Sequence, residues 1–328
     1  MKRMAVMGSC SIPFHLRYWR ELLPNWLDEV DEIVISLQQM PKKHREYVNK
    51  MLSQVKKVRV IPYPKNPWPQ CMSDDIHDSK AEIVLILHDD TFILKRGVID
   101  RFFTLAEEGK VVTPTHGIYS PADYVNRTLR EMYGNYLTQF NEYSFLLYFL
   151  FMPKSIFMKT SGYLGGKGWK KGEFVDLLGR TIEENVSGDT GFQLGLDLFA
   201  HHVPFHIIPR QTTAHLQFEK DPLKAFKEIS FPDGWVHFQN MANTIPQWFD
   251  GTHGINLVQN KEDAVMKVFV SIRLACMQEF LRVDEYKELE EYKRSVEKEM
   301  ELIKNLFTLE QESINEYQKE IRRILCVV

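Results

Sequence analysis

Cysteine is scarce in this sequence, and the few cysteines do not cluster. Cys10, Cys71, Cys276 and Cys326 lie far apart with no short metal-ligand spacing. That argues against a zinc ribbon and a disulfide framework, and it fits a reducing compartment. Long hydrophobic runs are missing too. The most apolar later stretch, Tyr143 to Met152, falls far short of the ~20 residues that span a bilayer, and Pro153 ends it. The first residues, Met1 to Gly8, carry two charges but too short an apolar stretch for a signal peptide. These absences predict a soluble, cytoplasmic protein, with peripheral contact to a membrane as a further expectation. Neither sign of charge dominates. A formal net charge of −3 predicts no nucleic-acid partner. No Gly-x-Gly-x-x-Gly follows the first apolar run, which argues against a dinucleotide cofactor.

The 328 residues present allow one large domain or two ordinary ones, and a hydrophobic share of 44% is enough to bury a core. The first part alternates strand-like and helix-like segments. Met4–Met7 is a short apolar run closed by the small-residue turn Gly8-Ser9-Cys10-Ser11. Apolar residues three and four apart then predict a helix from Tyr18 to Leu27. Strands are expected at Glu32–Leu37, Val58–Ile61 and Glu82–Leu87, with helical stretches at Lys42–Val55 and Ser73–Lys80 between them. Strands separated by helices read as βαβ units with a parallel sheet. The middle adds a strand at Val111–Pro114, a glycine-rich loop at Gly162–Gly172, a helix at Thr190–His201 and a strand at Phe205–Pro209.

Residues 218–260 are rich in aromatics and turn formers, such as Pro232-Asp233-Gly234-Trp235, and read as a connecting region. From Lys261 to Ile324 there is neither proline nor glycine. Leu289, Tyr292, Val296, Ile303 and Leu306 roughly follow a heptad, resumed by Tyr317, Ile321 and Ile324 and weakened by Glu299 and Glu310. A long helix or helical hairpin over 261–328 is expected. Two uses are open for it: self-association as a coiled coil, or packing on its own domain.

The most informative segment is Ile83-Val84-Leu85-Ile86-Leu87-His88-Asp89-Asp90. An aliphatic strand delivers an imidazole and two carboxylates to the C-terminal edge of a parallel sheet, where open α/β sheets bind ligands. Two adjacent aspartates repel unless a cation neutralises them, and a hard divalent ion prefers carboxylate oxygens. The plainer reading is an acidic turn with Asp90 or Thr91 capping the next helix.

With this order of elements, His88-Asp89-Asp90 resembles the acidic "DXD" motif of the GT-A glycosyltransferases, of the family 2 kind. The resemblance covers residues 4 to 217, and it implies a Rossmann-like central sheet flanked by helices, here with a C-terminal helical extension. It further implies Asp90 as ligand of Mn2+ or Mg2+ and His88 or Asp89 near the ribose of a nucleotide sugar. His88 stands where that family usually has an acid. Ser161 to Gly166 and Ser187-Gly188-Asp189-Thr190 resemble the acceptor side of the same family. This implies Asp189 as general base in an inverting reaction and Gly165 and Gly166 close to the sugar; helix capping is compatible with that role for Asp189. The family also has a late histidine that completes the metal shell, a place His215 would take, with His201, His202 and His206 as competitors. The turn at Ser9 falls where the family binds the nucleoside, and Asp75 and Asp78 are candidates for contacting the base.

The expected activity is metal-dependent transfer of a sugar from a nucleotide-diphosphate donor to a hydroxyl of a glycan, lipid-linked or small-molecule acceptor. Two other readings stand beside it. One is a sugar nucleotidyltransferase, whose basic glycine-rich signature Gly8–Pro13 lacks. The other is a non-catalytic scaffold that forms a homo-oligomer through the C-terminal helices.

Overall fold

The computed structural model describes residues 1–9, 13–38, 40–63, 70–114, 149–162, 167–169, 172, 186–188, 192–208, 234–238, 241, 247–251, 256–282 and 290–325. The chain opens with β1 (Arg3–Ser9), α1 (Pro13–Leu22), β2 (Glu32–Gln38), α2 (Lys42–Leu52), β3 (Val58–Tyr63), α3 (Gln70–Asp78) and β4 (Ile83–His88). This is the expected alternation. The first helix differs: it starts at Pro13 and ends at Leu22, and two 3-10 turns, Leu23–Asn25 and Leu27–Glu29, follow. Pro24 cannot donate the hydrogen bond that would carry the α-helix onward.

After β4 come the short β5 (Thr91–Ile93), α4 (Val98–Glu107), β6 (Val111–Pro114), β7 (Phe149–Pro153) and α5 (Lys154–Phe157). Then follow β8 (Lys167–Trp169), β9 (Val186–Gly188), α6 (Phe192–Ala200), β10 (Phe205–Ile208), β11 (Trp235–His237) and α7 (Gln247–Asp250). The tail forms α8 (Ala264–Leu281), α9 (Glu290–Leu306) and α10 (Gln311–Leu325).

Seven strands make the central sheet in the order β10-β6-β7-β4-β1-β2-β3, flanked by helices. The sheet is mixed rather than purely parallel. β7, from the aromatic stretch, runs antiparallel to β4 and β6. Successive residues of each central strand face opposite layers. Ala5, Met7, Ile83, Leu85 and Leu87 face Leu16, Trp19, Phe102 and Phe103. Met4, Val6, Val84 and Ile86 face Met72, Ile76, Leu194 and Leu198. Burial on both faces is why these strands read as unbroken apolar runs.

The C-terminal helices pack on the first of these layers. The side chain of Asp263 caps α8 by accepting from the Met266 amide at 2.8 Å, and Tyr18 of α1 donates to the Glu279 carbonyl of α8 at 3.2 Å. Val296, Ile303, Tyr317, Ile321 and Ile324, read from the sequence as a seam, are buried in this same core. Of the two uses left open for the tail, the described seam residues serve packing within the chain. Glu299, which interrupts the heptad, pairs with the fully buried Arg273 of α8, Nε to Oε1 at 3.1 Å, and the guanidinium lies 4.4 Å from the Trp248 ring centre. No helix among the described residues is long and apolar enough to cross a membrane.

Candidate metal centre

The order of the sheet sets where a ligand can sit. From β1 the chain winds outward through β2 and β3, then returns to place β4 on the other side of β1. The crevice beyond the C-terminal ends of β1 and β4 is therefore the point where the winding reverses, the usual ligand position in open α/β sheets. Gly8 is in register with His88 across that junction. The His88-Asp89-Asp90 turn leaves the sheet there and leads straight into β5, not into a helix. The helix-capping reading of this turn is therefore incorrect: α4 begins later, at Val98, after Gly97.

β5 pairs antiparallel with β11, with Thr91 opposite His237 and Ile93 opposite Trp235. The ladder is extended at both ends, by the Phe238 amide donating to the Asp90 carbonyl at 3.0 Å and the Leu94 amide donating to the Gly234 carbonyl at 2.8 Å. Trp235 stacks on Phe149 of β7, ring centres 4.5 Å apart, and anchors β11 over the main sheet. The backbone register thus carries His237 to Asp90. His237 Nε2 lies 3.0 Å from Asp90 Oδ1, and both side chains are almost wholly buried, at 3% and 6% exposure. His88, partly exposed, completes a group of three ligand atoms lying within 4.8 Å of one another.

Gly234 makes this approach feasible. Its φ is +73°, and a Cβ there would lie 2.6 Å from Val98 Cγ2 and 3.1 Å from Lys95 Cβ. A side chain would meet both a backbone penalty and a packed neighbour.

Electrostatics fit a cation. Burial alone would raise the Asp90 carboxyl, but His237, His15 and His88 around it hold it well below the usual carboxylate range. It is ionised. Burial pushes the His88 imidazole down to about 4, against the opposing pull of Asp90, so its ring is neutral at neutral pH and able to ligate. His15, in the first turn of α1, is fully buried and likewise pushed down to about 4 by burial. Its ring packs edge-on to Phe280 at 4.7 Å, and neither ring nitrogen has a hydrogen-bond partner among the described residues.

A divalent ion fits these residues. Two bonds of ~2.1 Å place their donor atoms at most ~4.2 Å apart. A spread of up to 4.8 Å is reconciled with that by a movement below an ångström.

The other sequence-derived candidates fall as follows. Asp89 is partly exposed in the turn and is not among the three donors. The buried Asp75 has both carboxylate oxygens engaged, by Ser36 Oγ at 2.5 Å and Tyr63 Oη at 2.7 Å. It braces β2 and β3 from α3. Ser9 ends β1 opposite Leu37, and its side chain lies outside the described residues. Gly165, Gly166, Asp189 and His215 also lie outside them. The strands beside three of these pair antiparallel, Lys167 opposite Gly188, so the chain ends leading to Gly166 and Asp189 are neighbours. His201 is exposed and contacts the Lys159 carbonyl at 3.0 Å. Among the described residues, the late histidine that reaches Asp90 is His237, in the segment read as a connector. The signal for its strand is the turn-forming Gly234 followed by the strand-favouring Trp235, Val236 and Phe238, which places the histidine on a strand but gives it no role. His15 had no comparable signal.

No protein-family model matches this chain, and no significant match exists among curated proteins. Among solved structures, it is similar to a mycobacterial protein, with 10% identity, TM-score 0.37 and 48% of this chain covered; the match spans 55% of that protein's length. It is also similar to glucosyl-3-phosphoglycerate synthase from Mycobacterium tuberculosis in complex with Mg2+ and uridine diphosphate. There identity is 11%, TM-score 0.40, and coverage 63% of this chain and 69% of that one. A third is the galactosyltransferase LgtC in complex with donor and acceptor sugar analogs, with 12% identity, TM-score 0.42, and 76% and 99% covered.

Proposed function

We propose that this chain transfers a sugar from a nucleotide-diphosphate donor to an acceptor hydroxyl, with His88, Asp90 and His237 holding a divalent ion against the diphosphate. The observation that carries the reading is the convergence of these three side chains at the C-terminal end of β4, at the point where the sheet's winding reverses. A divalent ion held there would neutralise the diphosphate and assist its departure as a Lewis acid.

The protein's own groups do the rest. Asp90, kept ionised, supplies the negative charge that retains the cation, and its burial keeps water from competing. The β5–β11 ladder fixes His237 before any ligand arrives, so little ordering cost remains on binding. Gly8, at the end of β1, lies across the same junction opposite His88, and the small residues that follow it are our candidate seat for the nucleoside, with Ser9 at its edge. Asp189, beyond β9, is the candidate base that would take the acceptor's proton in an inverting reaction. Gly165 and Gly166, before β8, would allow the acceptor sugar a close approach. The acceptor is a glycan, a lipid-linked sugar or a small metabolite.

The test is a thermal-shift and calorimetric panel of UDP, GDP, CDP and dTDP, with and without divalent ion, on the wild type, Asp90→Ala and His237→Gln. A nucleotide at a hundred times its Kd adds ~2.7 kcal/mol of stability. A shift for one nucleotide that requires the ion and disappears in both variants is the expected result. Binding of a nucleoside triphosphate with sugar phosphate would point to a nucleotidyltransferase instead. Absence of any ion-dependent nucleotide binding in a folded protein would sink the proposal and favour the scaffold.

A further inference from the structure

We propose that this centre is built for a transition ion of high imidazole affinity, such as Co2+, Zn2+ or Fe2+ with Mn2+ weaker, and that it discriminates against Mg2+. The inference rests on the metal reading above and deepens it.

The donor set is two imidazole nitrogens and a single carboxylate. Mg2+ is a hard ion that loses its waters reluctantly and is usually held by carboxylate and phosphate oxygens. Here one oxygen ligand is offered where an acidic motif would offer two, because position 88 is histidine. Neutral imidazoles add no Coulombic attraction, so the donor set as a whole carries a formal charge of only −1. An ion bound mainly by charge loses by that exchange, whereas one that forms strong bonds to nitrogen gains. Imidazole ligation suits zinc, iron, cobalt and nickel, and affinity at mixed nitrogen and oxygen sites rises from Mn2+ through Fe2+ and Co2+ to a maximum at Cu2+, with Zn2+ below that maximum. Two histidines and one carboxylate, with a further position left open, are also a recurrent ligand set for catalytic zinc.

Two further observations point the same way. His237 and Asp90 are already 3.0 Å apart and buried on a paired strand, so the nitrogen donor is part of the scaffold and not a flexible surface group. His15 adds a third imidazole close enough to act electrostatically on Asp90, and among the described residues neither of its nitrogens is hydrogen-bonded. A wholly buried imidazole with both nitrogens unsatisfied is costly to keep.

The experiment uses the full chain, stripped with chelator, and titrates Mg2+, Mn2+, Co2+ and Zn2+ one at a time by calorimetry without nucleotide. Visible absorption of the Co2+-loaded protein reports whether the protein's side chains hold the ion in a site of low coordination number, independently of activity. Co2+ and Zn2+ are expected to bind about a hundredfold more tightly than Mg2+. His88→Asp, which exchanges a nitrogen for an oxygen, should narrow that ratio by about tenfold or more, and His237→Gln should remove the Co2+ spectrum. Mg2+ binding as tightly as Co2+ in the wild type, with no change in His88→Asp, would overturn the selectivity and leave the metal centre standing. Failure of every ion to bind a folded wild-type protein would overturn both.

Discussion

Gly234→Ala should be among the more damaging single substitutions in this protein, although it adds one methyl group. Two costs are separable. The first is conformational: φ of +73° lies in the left-handed region, where a side chain costs ~1–2 kcal/mol. The second is steric: the new Cβ would sit 2.6 Å from Val98 Cγ2, and overpacking of this kind costs ~1–3 kcal/mol. Together they amount to ~2–5 kcal/mol, a large fraction of the stability of an ordinary domain. Urea denaturation followed by circular dichroism measures the loss. A double-mutant cycle then divides it. In a Val98→Ala background the closest colliding methyl is gone, so Gly234→Ala should cost less there, leaving the conformational part of ~1–2 kcal/mol and the tight contact with Lys95 Cβ at 3.1 Å. Because the Gly234 carbonyl accepts from the Leu94 amide at the start of the β5–β11 ladder, the same substitution should also weaken ion binding through displacement of His237. A stability change below ~0.5 kcal/mol, the range of an ordinary surface substitution, would refute the reasoning. Equal cost in both backgrounds would refute its steric half.

The remaining predictions concern buried charge. His15 ordinarily titrates at 6.5 and is pushed down to about 4 in the folded protein. Its contribution to stability is therefore full above pH 6.5 and is lost as pH falls through 4, a loss of ~3 kcal/mol in the ion-free protein. His15→Leu should flatten the acid side of the stability profile, and an unchanged profile would show that other groups govern it. Arg273→Met leaves Glu299 buried without its guanidinium and should cost ~3–5 kcal/mol by chemical denaturation. Arg273→Met with Glu299→Leu should recover most of that loss, and a double variant as unstable as the single one would contradict the pairing argument.

The amino-acid sequence by itself determined the inner strands. β1, β2 and β4 are apolar runs buried on both faces, a signal contained within each segment, and β6 is found at the residues expected. It also determined that Asp90 stands at the C-terminal end of β4, the edge at which open α/β sheets generally bind ligands, because the acidic turn directly follows the most aliphatic run. What local pattern could not contain was decided by the tertiary structure. β7 pairs antiparallel between β4 and β6, and strand direction depends on how the chain returns, not on the composition of the strand. Asp75, a candidate for contacting the base, is held by hydrogen bonds from Ser36 and Tyr63, which two other strands bring to it. His237 is the clearest case. Nothing within its own segment marks it as a ligand, since a histidine's role depends on what lies within ~3 Å of its ring. It becomes a candidate only because β11 pairs with β5 in a register that sets His237 opposite Thr91, beside a carboxylate far away in the chain.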